Sequence, residues 1–299
     1  MPDSSTPAAA ANADDALLRA SAAWAGDLAE AVCPVSGPQP CADFHVPWQE
    51  LRLLGLAAGP ERHEAFFSRT FDGLAATGHR RVLIAGAADF GMLACVHRGF
   101  GKRALSPVVA DLCATPLMLC AWYGAARGLA VSTVQADLAD VTPDAPWVED
   151  GFDLITSHSV LRYFAPEARP AVLARWRSLL RPGGALVTVT RLVPEDASPA
   201  AVDDGHVERF VERALRAAEA LDGVSMDRDR LAQRAARFAR AGGFHPTRSI
   251  TEIADVFDAA GFRIERLEDT RIDGALDHGD AAPGSARRAR YAEIVAVRP

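Results

Sequence analysis

From Arg81 to Leu192 the chain alternates short β-branched runs with stretches of helical period, and no other feature constrains the fold as strongly. RRVLIAG carries such a run, charge-free after its arginines and ending in glycine, which suits a strand buried on both faces. There follow PVVAD and the helix TPLMLCAWYGAARG, AVSTVQAD and a Pro-Asp loop, FDLITSHS and the helix PEARPAVLARWRSLL, and then GGALVTVTR. Strands alternating with helices of about 10–15 residues imply right-handed crossovers and a parallel sheet. Near the C-terminus the helix SITEIADVFDAAG leads into FRIERLED and YAEIVAVRP. Two consecutive strands with no helix between them must be antiparallel neighbours. The expected fold is therefore α/β: a doubly wound, seven-stranded sheet ending in an antiparallel hairpin.

The flanks read differently. Residues 1–13 are low-complexity Ala, Ser, Pro and Asp, a composition that suits a disordered tail. Residues 14–78 form a helical N-terminal extension: ALLRASAAWAGDLAEAV, then the proline-rich loop CPVSGPQPC, then PWQELRLLGL and PERHEAFFSRTFDGLAATG. Residues 79–192 are the core, 193–243 a helical insertion rich in Arg, Ala and acids, and 244–299 the rest of the sheet with a polar loop over 270–288.

Charge and composition exclude several classes. The formal net charge of −7 disfavours a general nucleic-acid surface. Lys102 is the only lysine, and Arg98 stands four residues before it, so no Tyr-x-x-x-Lys dehydrogenase pair exists. The five cysteines, Cys33, Cys41, Cys95, Cys113 and Cys120, contain no C-x-x-C, which argues against a disulfide framework and fits a reduced cytoplasm. MPDSSTPAAAANADD has neither the basic nor the apolar region of a secretory signal, and the apolar stretch from Ala114 to Ala126 is too short for a membrane span. His45 and His63 lack any partner spacing that suggests a metal, so none is expected.

Ligands of doubly wound sheets sit outside the carboxyl ends of the strands. The first strand ends in the small-residue turn Ala85-Gly86-Ala87-Ala88-Asp89, whose backbone N–H groups would suit an anionic group. Asp111, 25 positions after Gly86, could accept two hydrogen bonds from a ribose diol. Asp137-Leu138 ends the third strand and could meet an adenine amino group; Ser157-His158-Ser159 ends the fourth. An Asp after a strand is as often only a helix cap. Four polar strand ends in succession are harder to obtain by accident.

These segments resemble the class I S-adenosylmethionine-dependent methyltransferases, which have a Rossmann-like sheet. VLIAGAADFG is similar to the family's first motif, VVADLC to the second, VQADLAD to the third, FDLITSHSVLRYF to the fourth and LLRPGGALVTVTR to the last. The resemblance implies S-adenosylmethionine as cofactor and S-adenosylhomocysteine as product. It places Ala85, Gly86, Ala88, Asp89, Asp111, Leu112, Asp137, Leu138, Ser157 and His158 around the cofactor. The first motif departs from the family pattern: Ile84 occupies the acidic position, and Ala88 and Phe90 stand where glycines are usual. Asp89 is then the candidate partner of the methionine ammonium.

Methyl transfer needs alignment and, where the nucleophile carries a proton, a base. His158 is the best-placed base by sequence, with Tyr163 one turn later; either could instead be structural. Arg162 and Arg191 could hold a substrate, and Arg191 equally could neutralise nearby acids. His45 and Trp48 read either as part of a lid over the substrate or as ordinary core. The expected partner is a small-molecule acceptor, with no nucleic acid and no membrane. The apolar faces of PWQELRLLGL and PERHEAFFSRTF would suit a homodimer. The competing readings are a nicotinamide-dependent oxidoreductase, which the missing Tyr–Lys pair opposes, and a catalytically silent partner-binding subunit, which the altered first motif favours.

Overall fold

The computed structural model describes residues 7–35, 41–193, 203–241, 244–272 and 289–299. In chain order its elements are α1 (Pro7–Ala22), α2 (Ala25–Val32), α3 (Ala42–Leu53), α4 (Glu64–Ala76), β1 (Arg81–Ala85), α5 (Gly91–Phe100), β2 (Ser106–Asp111), α6 (Ala114–Arg127), β3 (Ser132–Gln135), β4 (Phe152–His158), α7 (Arg169–Leu179), β5 (Leu180–Leu192), α8 (Asp204–Glu219), α9 (Arg228–Arg240), α10 (Ile250–Ala259), β6 (Arg263–Ile272) and β7 (Ala289–Val297). They fall into two units. The sheet unit comprises residues 60–196, 243–273 and 288–299; the described part of the helical unit lies within 1–59 and 197–242.

The sheet has seven strands in the order β3-β2-β1-β4-β5-β7-β6. β1 pairs in parallel with both β2 and β4, so the winding reverses between β1 and β4. β7 is antiparallel to β5 on one side and to the edge strand β6 on the other, as the two consecutive strand patterns require. Val82, Leu83, Ile84 and Ala85 are fully buried, which explains why β1 is apolar at every position after Arg81. One core brings Leu83, Ile155 and Leu186 of the sheet together with Trp176 of α7 and Phe257 of α10. α4 packs on α5, where a Cβ at Gly99 would lie 2.6 Å from the Cβ of Phe71; only glycine permits that approach. At the opposite end of the sheet from the strands' carboxyl termini, Asp153 accepts from the backbone N–H groups of Arg80 and Arg81, each at 2.9 Å, and pairs with Arg181. Burial opposes its ionisation, but these donors outweigh burial and hold the carboxyl below its ordinary value.

In the helical unit α3 lies against α9, with Phe44 and Trp48 on Phe238 at ring distances of 5.8 and 6.1 Å. The buried guanidinium of Arg234 pairs with Asp27 at 2.8 Å, Glu30 at 3.0 Å and Glu50 at 2.6 Å, tying α9 to α2 and α3. A charge so placed is tolerable only when paired. Burial pushes the Glu50 carboxyl up, with Arg234 opposing. Asp203 and Asp227 cap α8 and α9 by accepting from the N–H groups of His206 and Arg230.

Four expectations of boundary change. α1 begins at Pro7, inside the stretch expected to be a tail, because an alanine run favours helix and proline suits the first turn. α3 begins at Ala42 and runs through Pro47, where the helix had been expected to start. The 14–78 extension divides between the units after residue 59, and α4 joins the sheet unit through the buried Phe66, Phe67 and Phe71. β6 continues to Ile272, into the expected loop. Residues 1–6 of the tail, 36–40 of the proline-rich loop, 194–202 and 242–243 of the insertion, and 273–288 of the polar loop lie outside the described residues. Among the described residues no helix is long and apolar enough to cross a membrane.

Candidate active site

The reversal between β1 and β4 is where a doubly wound sheet opens a crevice. The chain leaves β1 through Gly86, whose φ is +79°. A Cβ at Gly86 would lie 2.8 Å from Val160 Cγ2, so both conformation and space require glycine. Asp111 fastens this turn. Its Oδ2 accepts from the N–H of Ala87 at 2.9 Å, and its Oδ1 accepts from Cys113 at 2.7 Å, which joins the turn after β1 to the start of α6. Ala85 is buried at the end of β1, and Ala88 is half-buried within the turn. Asp89 is buried and its Oδ1 accepts from the N–H of Gly91 at 2.6 Å, capping α5.

The two departures in the first motif have structural reasons. Ile84 is fully buried in register with Val109 and Thr156, so an acid there would be in the core. Phe90 leaves the turn and stacks on Tyr123, 5.1 Å between ring centroids. Leu112, next to Asp111, is an apolar side chain 45% exposed at the strand end, where its carbonyl accepts from Gln135 Nε2. Asp137 Oδ1 accepts from Ala139 N–H at 2.8 Å, while Leu138 is buried and its carbonyl accepts from the Trp176 indole. The Ser157 hydroxyl is buried and shares a hydrogen bond with Thr188 Oγ1 at 2.8 Å, which commits it to the sheet.

His158 closes β4 half-buried, and the next residue, Ser159, is held at φ +57° with its N–H on the Val189 carbonyl at 2.7 Å. A non-glycine residue in the left-handed region beside a histidine is the kind of strain that functional sites keep. The sheet register aligns His158 with Val189, and Val189 with Glu293. Glu293 Oε1 stands 3.0 Å from His63 Nδ1, and both side chains are buried. The His63 ring lies 5.6 Å from that of His158 and 4.7 Å edge-on from Tyr291. His63 Nε2 is buried and has no hydrogen-bond partner among the described residues. Sequence reasoning missed this pair. Its members are 230 positions apart, and His63 carried no local signal beyond a helical stretch.

Tyr163 is half exposed and packs edge-on against Phe244, and the Arg162 guanidinium lies 3.8 Å from the same ring. Desolvation of the phenol outweighs Arg162 and pushes its pKa up to about 12. Arg191 is buried on β5 across from Tyr291. His45 and Trp48 belong to the helical unit, where Trp48 packs on Phe44 and Phe238.

Residues 91–184 match the family model described as a methyltransferase domain. No curated protein matches the chain. Among solved structures, a Bacillus halodurans protein assigned provisionally as a methyltransferase aligns at 16% identity and TM-score 0.49, over 78% of this chain and 98% of its own. An O-methyltransferase family protein from Burkholderia thailandensis aligns at 20% identity and TM-score 0.48, over 85% and 59%. Magnesium protoporphyrin IX methyltransferase from Synechocystis, with S-adenosylhomocysteine bound, aligns at 14% identity and TM-score 0.45, over 80% and 84%. The matched stretch, 91–184, runs from α5 to the start of β5 and so takes in β2, β3 and β4 of the doubly wound sheet.

Proposed function

We propose that the protein is an S-adenosylmethionine-dependent methyltransferase acting on a small-molecule acceptor, with the His63–Glu293 pair serving the acceptor's proton. The observation that carries this reading is the strand-end assembly within a methyltransferase domain: a glycine turn fastened by Asp111, with an exposed apolar Leu112 beside it. The residues fit the cofactor's chemistry. Asp111 sits at the strand end with its carboxylate on the backbone N–H groups of Ala87 and Cys113, and a carboxylate is the acceptor that a ribose hydroxyl requires. Leu112 offers an apolar surface to a base, and Asp137 a carboxylate near the end of β3.

When bound, S-adenosylmethionine supplies an electrophilic methyl group on sulfur and departs as S-adenosylhomocysteine. This chain's residues supply the rest. The crevice fixes the line between acceptor and methyl, which is the larger part of the catalysis. Glu293 accepts the hydrogen bond of His63 Nδ1–H, which selects the tautomer with a lone pair on Nε2. That nitrogen takes the proton an oxygen or nitrogen acceptor must lose, directly or through His158, whose ring is adjacent. Glu293 then balances the charge on the imidazolium, as an orienting carboxylate does in other histidine dyads.

Titration calorimetry with S-adenosylmethionine and S-adenosylhomocysteine tests the reading. Micromolar binding of both is expected. Absence of binding to a folded protein would refute it and leave the silent, partner-binding subunit as the reading.

A further inference from the structure

We infer that the helical unit holds a zinc-class metal ion on Cys33, Cys41 and His45. Cys33 ends α2, Cys41 immediately precedes α3, and His45 follows Cys41 by four positions, one turn along the helix. Cys33 and His45 are buried and Cys41 half-buried. Their donor atoms all lie within 4.8 Å of one another, with Cys33 Sγ 3.5 Å from His45 Nδ1. A tetrahedral ion with metal–sulfur bonds of about 2.3 Å and metal–nitrogen bonds of about 2.0–2.1 Å sets such donors about 3.6–3.8 Å apart. The Cys–His separation of 3.5 Å is already close to that value, and the remaining separations are within 4.8 Å. A thiol–imidazole hydrogen bond alone would account for the 3.5 Å contact. The second thiol, Cys41, lies within 4.8 Å of both donors, as a shared ion requires.

The donor set selects the ion. Two thiolates and an imidazole suit Zn(II), whereas Mg(II) and Ca(II) prefer oxygen. Binding displaces the two thiol protons into solvent, forms two metal–sulfur bonds and one metal–nitrogen bond, and leaves a fourth position for water or another donor. No redox change is involved. The ion would pin the end of α2 to the start of α3 across the intervening loop, so its binding energy is folding energy for this unit. The Cys-x7-Cys-x3-His spacing matches no common zinc pattern in sequence, and the fold creates the convergence.

The test uses the untagged protein. Elemental analysis should find about one zinc per chain, falling at least tenfold in the double variant Cys33→Ser/Cys41→Ser. Co(II) titrated into chelator-treated protein should give the thiolate-to-cobalt charge-transfer band and tetrahedral d–d absorption in the wild type and neither in the variant. Should the variant not fold, chelation of the wild type should lower its Tm, and zinc should restore it. Less than a tenth of an equivalent of metal together with no cobalt–thiolate band would overturn the proposal. So would undiminished metal in a folded double variant, or a Cys33–Cys41 disulfide in the protein as purified.

Discussion

Replacing Asp111 by Asn probes the joint between the strand-end turn and the cofactor site. Both carboxylate oxygens face backbone donors, Ala87 N–H on Oδ2 and Cys113 N–H on Oδ1. An amide has one acceptor oxygen and one NH2, so either orientation sets a donor against a donor. Buried hydrogen bonds to a charged group contribute about 1.5–3 kcal/mol each, and Asp111 is only half-buried, so the lower end applies. Losing one bond and weakening the other to a neutral one should cost about 2 kcal/mol. At about 2–4 °C per kcal/mol for a unit of this size, Tm should fall by about 4–8 °C. Loss of ribose acceptor strength should also weaken S-adenosylmethionine binding about tenfold, corresponding to about 1.4 kcal/mol. Scanning calorimetry reads the first effect and titration calorimetry the second. A variant that melts within about 1 °C of wild type would refute the idea that the carboxylate fastens the turn. One that melts lower yet binds the cofactor undiminished would refute the ribose assignment alone.

Glu293→Gln keeps the size of the side chain but removes its charge, so turnover should fall by about 10²-fold or more with cofactor affinity unchanged; equal loss of affinity and turnover in steady-state and binding assays would make the pair structural. Arg234→Met removes the cation from the largely buried Glu50, while Arg230 still pairs with the more exposed Asp27 and Glu30, and should destabilise the helical unit by about 1–3 kcal/mol in denaturant titration. Burial already raises the Glu50 carboxyl above 4.5, and losing Arg234 raises it further. The native state of the variant therefore takes up that proton at higher pH than the unfolded chain does, and its deficit should shrink as pH falls toward 4.5. A deficit that grows on acidification would contradict this account.

Much of the sheet unit was legible because its central strands, buried on both faces, had to be largely apolar and the intervening stretches had helical period. The period change at Arg81 and the paired strand patterns at the C-terminus yield the strand count and the antiparallel edge. Asp111 and Gly86 were legible for a related reason: a backbone turn at a strand end demands particular residue types there. The hydrogen bond between Ser157 and Thr188 was not legible, because the sequence does not show which hydroxyls neighbouring strands set side by side.

Sequence by itself determined the alternation, the polar strand ends and the absence of a lysine mechanism, all of which depend on local periodicity or on residue identity. Tertiary structure alone decided what sequence separation hides. His63 became a candidate base only when the sheet register brought Glu293 beside it from 230 positions away. Arg234 became a structural centre only when α9 packed on α3. Cys33, Cys41 and His45 became a ligand set only when the end of α2 came beside the start of α3. In each case the chemistry arises from groups that burial forces together, and no local pattern records which groups those will be.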